Sequence, residues 1–178
     1  MDKEELRKVT KQLSYPSGDL GVDISGKMNK TNAFITARTI EALDPSAGDF
    51  IAEIGPGNGA LSSDVIQAIG PRGRYLGIEI SKDMALLAEE NLRKQGSTII
   101  DVHSGDCHDA IVEEASLDGL LAVNMLYFID DLNKLLVEIR PWFKPNGRCV
   151  FGILPTRFVL PISGRNSNSS VATSPVRP

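Results

Sequence analysis

Between residues 48 and 154 the sequence switches hydrophobic period repeatedly, setting five short apolar runs among helical stripes, and this alternation constrains the fold most. Phe50-Ile51-Ala52-Glu53-Ile54 reads as a buried strand, and Leu61, Val65, Ala68 and Ile69 make a helical stripe behind it. Residues 75–80 read as a second strand, followed by the stripe Met84, Leu87, Ala88 and Leu92. Residues 98–103 are a third strand, with a short helix expected near Ala110, and residues 119–124 are a fourth. Leu132, Leu135, Leu136 and Ile139 then fall at i, i+3, i+4 and i+7, with Asp130 or Asp131 placed as N-cap. Lys144-Pro145-Asn146-Gly147 reads as a turn and residues 148–154 as a fifth strand. Strands separated by helices need crossover connections, which give a parallel sheet covered by helices. The expected fold class is α/β, a doubly wound and mostly parallel sheet.

The flanks read differently. Residues 1–46 form an N-terminal helical segment: Leu6, Val9 and Leu13 have helical spacing, Pro16-Ser17-Gly18 breaks the pattern, and a second helix is expected over residues 27–43, before Asp44-Pro45. Residues 47–154 hold the α/β domain. Residues 155–178 end in a Ser-, Asn-, Pro- and Gly-rich stretch that cannot offset its ordering entropy, so an irregular, disordered tail is expected. The net charge of -4 provides no basic face for phosphates, which argues against nucleic acid as a partner. Two cysteines, Cys107 and Cys149, are too few to staple a secreted fold and suggest a reducing, cytoplasmic setting. The charged start Met1-Asp2-Lys3-Glu4-Glu5 does not read as a signal peptide. The most apolar stretch, residues 120–129, is about half the ~20 residues of a membrane span. A soluble chain is expected.

The chemistry concentrates where strands end. Glu53-Ile54-Gly55-Pro56-Gly57-Asn58-Gly59 joins the first strand to a helix; its glycines let backbone approach a ligand, and the helix start offers free N–H groups. Gly55-x-Gly57-x-x-Ala60 also fits the dinucleotide fingerprint, so a nicotinamide cofactor has to be weighed, as does a tight turn with no ligand. Glu53 lies two residues before the first glycine, where a carboxylate suits an ammonium group and repels a pyrophosphate. Glu79 closes the second strand, where it can accept both hydroxyls of a ribose; a solvated acid is the plain alternative. Gly105-Asp106-Cys107 follows the third strand, where Asp106 can accept from an adenine amine or simply cap a helix. His103 and His108 lack partners at ligand spacing, the cysteines form no CxxC pair, and no metal is inferred.

Together these residues resemble the class I S-adenosylmethionine-dependent methyltransferases. The shared pattern is an acid and three glycines (Glu53, Gly55, Gly57, Gly59), an acid ending the second strand (Glu79) and Gly105-Asp106 after the third. Phe143-Lys144-Pro145-Asn146-Gly147-Arg148 stands where the family has its L-K-P-G-G turn. The chain is similar to the small-molecule branch that includes quinone-biosynthesis-type enzymes, and Pro16-Ser17-Gly18 with Met28-Asn29 resembles the lid of that branch. The resemblance implies a Rossmann-like methyltransferase fold, S-adenosylmethionine as cofactor and a small-molecule methyl acceptor as partner. It implies that Glu53, Gly55, Gly57 and Gly59 wrap the methionyl part, that Glu79 holds the ribose and that Ile80 lies on the adenine. It places Asp106 and the Cys107 backbone at the adenine edge, Asn124 near the sulfonium, and Met125 and Tyr127, with Tyr15, on the acceptor side. No general base is identified.

The family's sheet continues past the fifth strand with a helix and an antiparallel strand pair. Here Pro155, Phe158-Val159-Leu160 and Pro161 lead directly into the polar tail. The chain is therefore expected to lack that pair, as a truncated form would. Its fifth strand would keep an open edge prone to self-association, partly shielded by Phe158-Val159-Leu160. Two readings compete with methyl transfer: a cofactor-binding protein without turnover, and an NAD-dependent oxidoreductase. Glu53 and the Lys-Pro-Asn-Gly turn argue against the latter.

Overall fold

Strands covered on both faces need apolar side chains at consecutive positions, and β1 (Phe50–Ile54) has them: Ile51, Ala52 and Ile54 are each 2% exposed or less. A computed structural model describes residues 3–96 and 98–154. In it β1 is the centre of one five-stranded sheet with β2 (Arg74–Glu79), β3 (Ile99–Ser104), β4 (Leu117–Val123) and β5 (Phe143–Gly152). The order is β3-β2-β1-β4-β5, and every neighbouring pair is parallel. The chain builds outward from β1 to β3, then returns to lay β4 on the other side of β1. The carboxyl ends of β1 and β4 thus flank the switch point where open α/β sheets leave a crevice.

Among the described residues α2 (Gly18–Leu43), α3 (Ser63–Ile69), α4 (Lys82–Arg93) and α5 (Leu132–Ile139) cover the sheet, and α1 (Lys3–Ser14) packs on α2. On one side Leu43, Ile69 and Leu92 from α2, α3 and α4 pack on Ile51, Tyr75 and Leu121. On the other, Leu135 and Ile139 of α5 pack with Trp142 on Ala52 and Leu120. No helix among the described residues is long and apolar enough to cross a membrane.

The alternation of periods places the elements well, and the departures from it have physical causes. Helix α2 starts at Gly18, nine residues before the expected position 27. Its glycines argue against a helix locally, yet Gly21 is needed there: a Cβ would stand 2.7 Å from the Pro16 carbonyl carbon, so only glycine lets the first turns of α2 close on the preceding connection. Near Ala110 a single 3-10 turn, Cys107–Asp109, replaces the expected helix, and the Asp106 carboxylate caps its start by accepting from the His108 N–H at 2.9 Å. The fifth strand begins at Phe143 instead of 148. Phe143 pairs with Leu117 and Arg148 with Gly119, so the Lys-Pro-Asn-Gly segment is an irregularity within β5 and not a turn before it. Leu61 precedes α3, and the stripe of α5 is divided, with Leu135 and Ile139 buried while Leu132 and Leu136 are 36% and 39% exposed. Asp131 is the N-cap of α5, accepting from the Lys134 N–H at 2.9 Å. Among the described residues β5 pairs only with β4; the expected tail, including Phe158-Val159-Leu160, lies outside the described residues.

Gly59 shows how tightly the β1–α3 connection is held. It has φ 74°, and a Cβ there would stand 3.0 Å from the Ala88 Cα and 3.1 Å from Leu92 Cγ, both on α4. Alanine at this position combines left-handed strain with a clash against a helix backbone. We expect Gly59→Ala to lower the unfolding free energy by about 2–4 kcal/mol. Chemical denaturation measures it, and a loss below about 1 kcal/mol would show that the connection slides aside freely.

Candidate functional site

The crevice at the switch point is a cavity of about 350 Å³. Its floor is the connection leaving β1, where Gly55 and Gly57 take left-handed backbone at φ 75° and 58°. One wall is the end of β2 with Glu79 and Ile80, continued by Asp106 and Cys107 after β3. The opposite wall is Asn124 and Met125 after β4. The roof is α1, α2 and the connection between them, which contribute Leu13, Tyr15, Ser25, Asn29, Asn32 and Thr36.

Glu53 is 4% exposed and accepts from the Tyr75 hydroxyl at 2.7 Å. Burial pushes its carboxyl above the ordinary value of 4.5, and the neighbouring Ser62 and Tyr75 hydroxyls offset this in part. Glu79, 5% exposed, accepts from the backbone N–H groups of Gly57 and Ser81, both at 2.9 Å. Its carboxyl is likewise raised, first by burial, with the two N–H groups acting in the opposite sense and the Glu53 charge adding to the rise. Two carboxylates therefore face one crevice, and Glu79 also ties the glycine connection to the end of β2.

Most of the residues singled out from the sequence meet here. Glu53, Gly55, Gly57, Glu79, Ile80, Asp106, Cys107, Asn124, Tyr15 and Met125 all line the cavity. Two do not. Gly59 turns against α4 and serves close packing of the connection on that helix. Tyr127 sits in the 3-10 turn Leu126–Phe128, 54% exposed and edge-on to Phe128, and that turn sends Phe128 into the lining in its place. Asp106 caps the 3-10 turn, one of the two roles weighed from the sequence, and it also lines the cavity.

Burial, with the adjacent Asp106 charge, pushes the Cys107 thiol up to about 11, so at neutral pH it is no nucleophile. His108, without a partner in the sequence pattern, meets Glu138 of α5 through Nδ1. Asp106, Cys107 and His108 bring ligand-type atoms within 4.8 Å of one another, the one such grouping among the described residues. Each has another use: Asp106 caps, the thiol stays protonated, and His108 is engaged by Glu138.

What sequence reasoning missed is the polar stripe of α2 that faces the cavity beyond the Met28-Asn29 pair. Ser25, Asn29, Asn32 and Thr36 repeat at spacings of four, three and four, a helical stripe that is polar and reads as a solvent face. It faces inward because several bonds tie the roof to the sheet. Asn29 Nδ2 donates to Asn58 Oδ1 at 3.0 Å, Asn124 Nδ2 donates to Asn32 Oδ1 at 3.0 Å, and the Gly18 N–H donates to Asp83 Oδ2 at 2.9 Å. The Ser81 hydroxyl, also the N-cap of α4, donates to the Pro16 carbonyl.

Comparison with known proteins shows the family and the fold. The chain is 27% identical over 135 residues to demethylmenaquinone methyltransferase of Lactococcus lactis, covering 71% of this chain and 54% of that one. It is 25% identical over 114 residues to nocamycin O-methyltransferase of Saccharothrix syringae, covering 64% of this chain and 41% of that one. The chain therefore spans about half the length of these curated relatives. Among solved structures, an S-adenosylmethionine-dependent methyltransferase from Aquifex aeolicus shares the fold with a TM-score of 0.58 and 16% identity, over 68% of each chain. The methyltransferase domain family matches residues 52–151, from the middle of β1 to the end of β5. That match covers more than half of the sequence, and the chain belongs to the methyltransferase domain family.

Proposed function

We propose that this chain binds S-adenosylmethionine in the crevice and transfers its methyl group to a small-molecule acceptor. The observation that carries the reading is the charge of the lining. Glu53, Glu79 and Asp106 contribute carboxylates from the ends of three strands, and no Lys, Arg or His among the described residues lines the cavity. Such a site suits a ligand with a sulfonium and an ammonium group and is hostile to a pyrophosphate. The cradle fits as well: a Cβ at Gly57 would project into open space, which a ligand can occupy. Membership of the methyltransferase domain family and the names of the relatives support the same reading and leave the nicotinamide alternative without support.

In this reading residues 1–46 act as a lid on a binding domain formed by residues 47–154. Gly55 and Gly57 flank the methionyl part with Glu53 toward its ammonium, Glu79 takes the ribose hydroxyls, and Ile80, Asp106 and the Cys107 backbone meet the adenine. Asn124 stands toward the sulfonium, and Tyr15, Met125 and Phe128 face the acceptor. When bound, the cofactor supplies a methyl group already activated by its positive sulfur. The chain's own contribution is to hold the acceptor in line and keep water out, which the closed roof and apolar rim suit.

Calorimetry tests the assignment directly. S-adenosylmethionine is expected to bind with a Kd on the order of micromolar and NAD at least about tenfold more weakly; equal or tighter binding of NAD overturns the reading. Glu79→Ala is expected to weaken the cofactor by about 1.5–3 kcal/mol, and Asp106→Ala by less. Because Glu79 also accepts from Gly57 and Ser81, its loss should lower the melting temperature too.

The raised carboxyls of Glu53 and Glu79 give a pH signature. In the free protein they hold protons at a pH where the unfolded chain has released them, so their contribution to stability is full below about 4.5 and lost as pH rises through the raised values. A cationic ligand favours the ionised forms, so binding releases protons at mildly acidic pH. We expect affinity for S-adenosylmethionine to fall as the pH is lowered from neutrality toward the ordinary carboxyl value of 4.5, with proton release on binding along that descent. Calorimetry in buffers of different ionisation enthalpy measures both, and an affinity independent of pH would exclude these carboxylates from the site.

The outer edge of β5 has no partner strand among the described residues, and open edges template association. On that basis we propose self-association through this edge. Sedimentation across a concentration series should show a monomer–dimer equilibrium, and a monomer throughout would refute it.

A further inference from the structure

We propose that the inner face of α2 seats the α-carboxylate of the bound cofactor, with Asn32 Nδ2 and Thr36 Oγ1 as its donors; this rests on the cofactor assignment above. Hydroxyls on buried residues usually find partners, and α2 carries two that have none among the described residues and that line the cavity. Thr31 and Thr39 satisfy their hydroxyls on the helix itself, donating to the Lys27 and Ile35 carbonyls. Ser25 and Thr36, only 5% and 4% exposed, have no such bond among the described residues, and both line the crevice.

The amides add direction, because a backbone N–H can only donate. The Leu154 N–H donates to Asn124 Oδ1 at 2.8 Å, which makes the other end of that amide the Nδ2 donor. Asn124 Nδ2 in turn donates to Asn32 Oδ1, so the group that Asn32 has left for the cavity is Nδ2, a donor. The same logic runs the other way at Asn29. The Ala60 N–H fixes Asn58 Oδ1 as an acceptor, Asn29 Nδ2 donates to it, and Asn29 keeps its Oδ1, an acceptor, for the cavity.

The strip thus offers an acceptor at Asn29, a donor at Asn32 and a hydroxyl at Thr36, in the same cavity as the Glu53 carboxylate. That set matches an α-amino acid in its zwitterionic form: Glu53 and Asn29 for the ammonium, Asn32 and Thr36 for the carboxylate. With no Lys, Arg or His in the described lining, the carboxylate has to be held by neutral donors, and these are the unpartnered ones on α2.

S-adenosylmethionine and its decarboxylated analogue differ by this carboxylate alone, so titrating both by calorimetry isolates it. Thr36→Val keeps the β-branched shape and removes the hydroxyl. It is expected to weaken S-adenosylmethionine about five- to tenfold and leave the decarboxylated analogue within about twofold, while Thr36→Ser restores wild-type affinity. Asn32→Asp keeps the acceptor for Asn124 and replaces the free donor by an anionic oxygen; S-adenosylmethionine should weaken at least about tenfold and the analogue should not. Circular dichroism melting of each variant checks the fold. Unchanged affinity for both ligands, or an equal loss for both, overturns the proposal. If the wild-type chain binds the analogue but not S-adenosylmethionine, the carboxylate seat is wrong while the crevice stands; if it binds neither, the cofactor assignment fails and the proposal with it.

Discussion

A buried carboxylate near the carboxyl end of the central strand is the constraint on which the rest of this structure depends. Glu53 is nearly as buried as the isoleucines on either side of it, and an ionised carboxylate in such a place is unfavourable unless hydrogen bonds and a counter-charge offset the burial. The protein supplies the first through Tyr75, a fully buried side chain whose hydroxyl reaches Glu53 from the adjacent strand. It supplies no cation among the described lining residues. The site is therefore built for a positive ligand, and the cost of keeping Glu53 there is carried by the apolar packing around β1.

The roof follows from the same economy. Helix α2 crosses the crevice with a polar inner stripe, which apolar packing alone cannot hold in place. Its position is set by directed bonds, to Asn58 on the glycine connection and to Asn124 after β4. Those two partners lie on opposite sides of the switch point, so the helix spans the crevice. Farther along, α2 becomes an ordinary packing helix: Leu43 is buried against the sheet, and Gly152 at the end of β5 leaves no room for a side chain beside the Thr39 hydroxyl. One helix thus anchors in the core at its carboxyl end and closes the site with residues 25–36.

The order and type of the elements were legible because they rest on local information. A strand buried on both faces must be apolar at consecutive positions, and a covering helix must repeat every three or four residues, so β1 to β4 and the stripes of α4 and α5 stand out. Gly55 and Gly57 were legible because a left-handed connection admits few other residues, and Glu53 and Glu79 because a carboxylate at a strand end needs a reason to be there. Much of the candidate site was therefore visible in the chain, at the ends of the strands.

What the chain could not reveal is which way a residue faces when its partner is distant in sequence. Asn32 and Asn124 are 92 positions apart, and only their meeting turns the α2 stripe inward. Gly59 has the same motif position as the glycines lining the cavity, yet its neighbour is the backbone of Ala88. Tyr127 and Phe128 are equally aromatic, and a single 3-10 turn decides which of them enters the lining. Gly21 speaks against a helix until Pro16 is packed on it. Sequence by itself determined the periods, the strand ends and the acids placed on them, since these are properties of short segments. Tertiary structure alone decided the inward turn of the α2 stripe, the facing of its amides and the extent of α2, because those depend on contacts that exist only once the distant segments have packed.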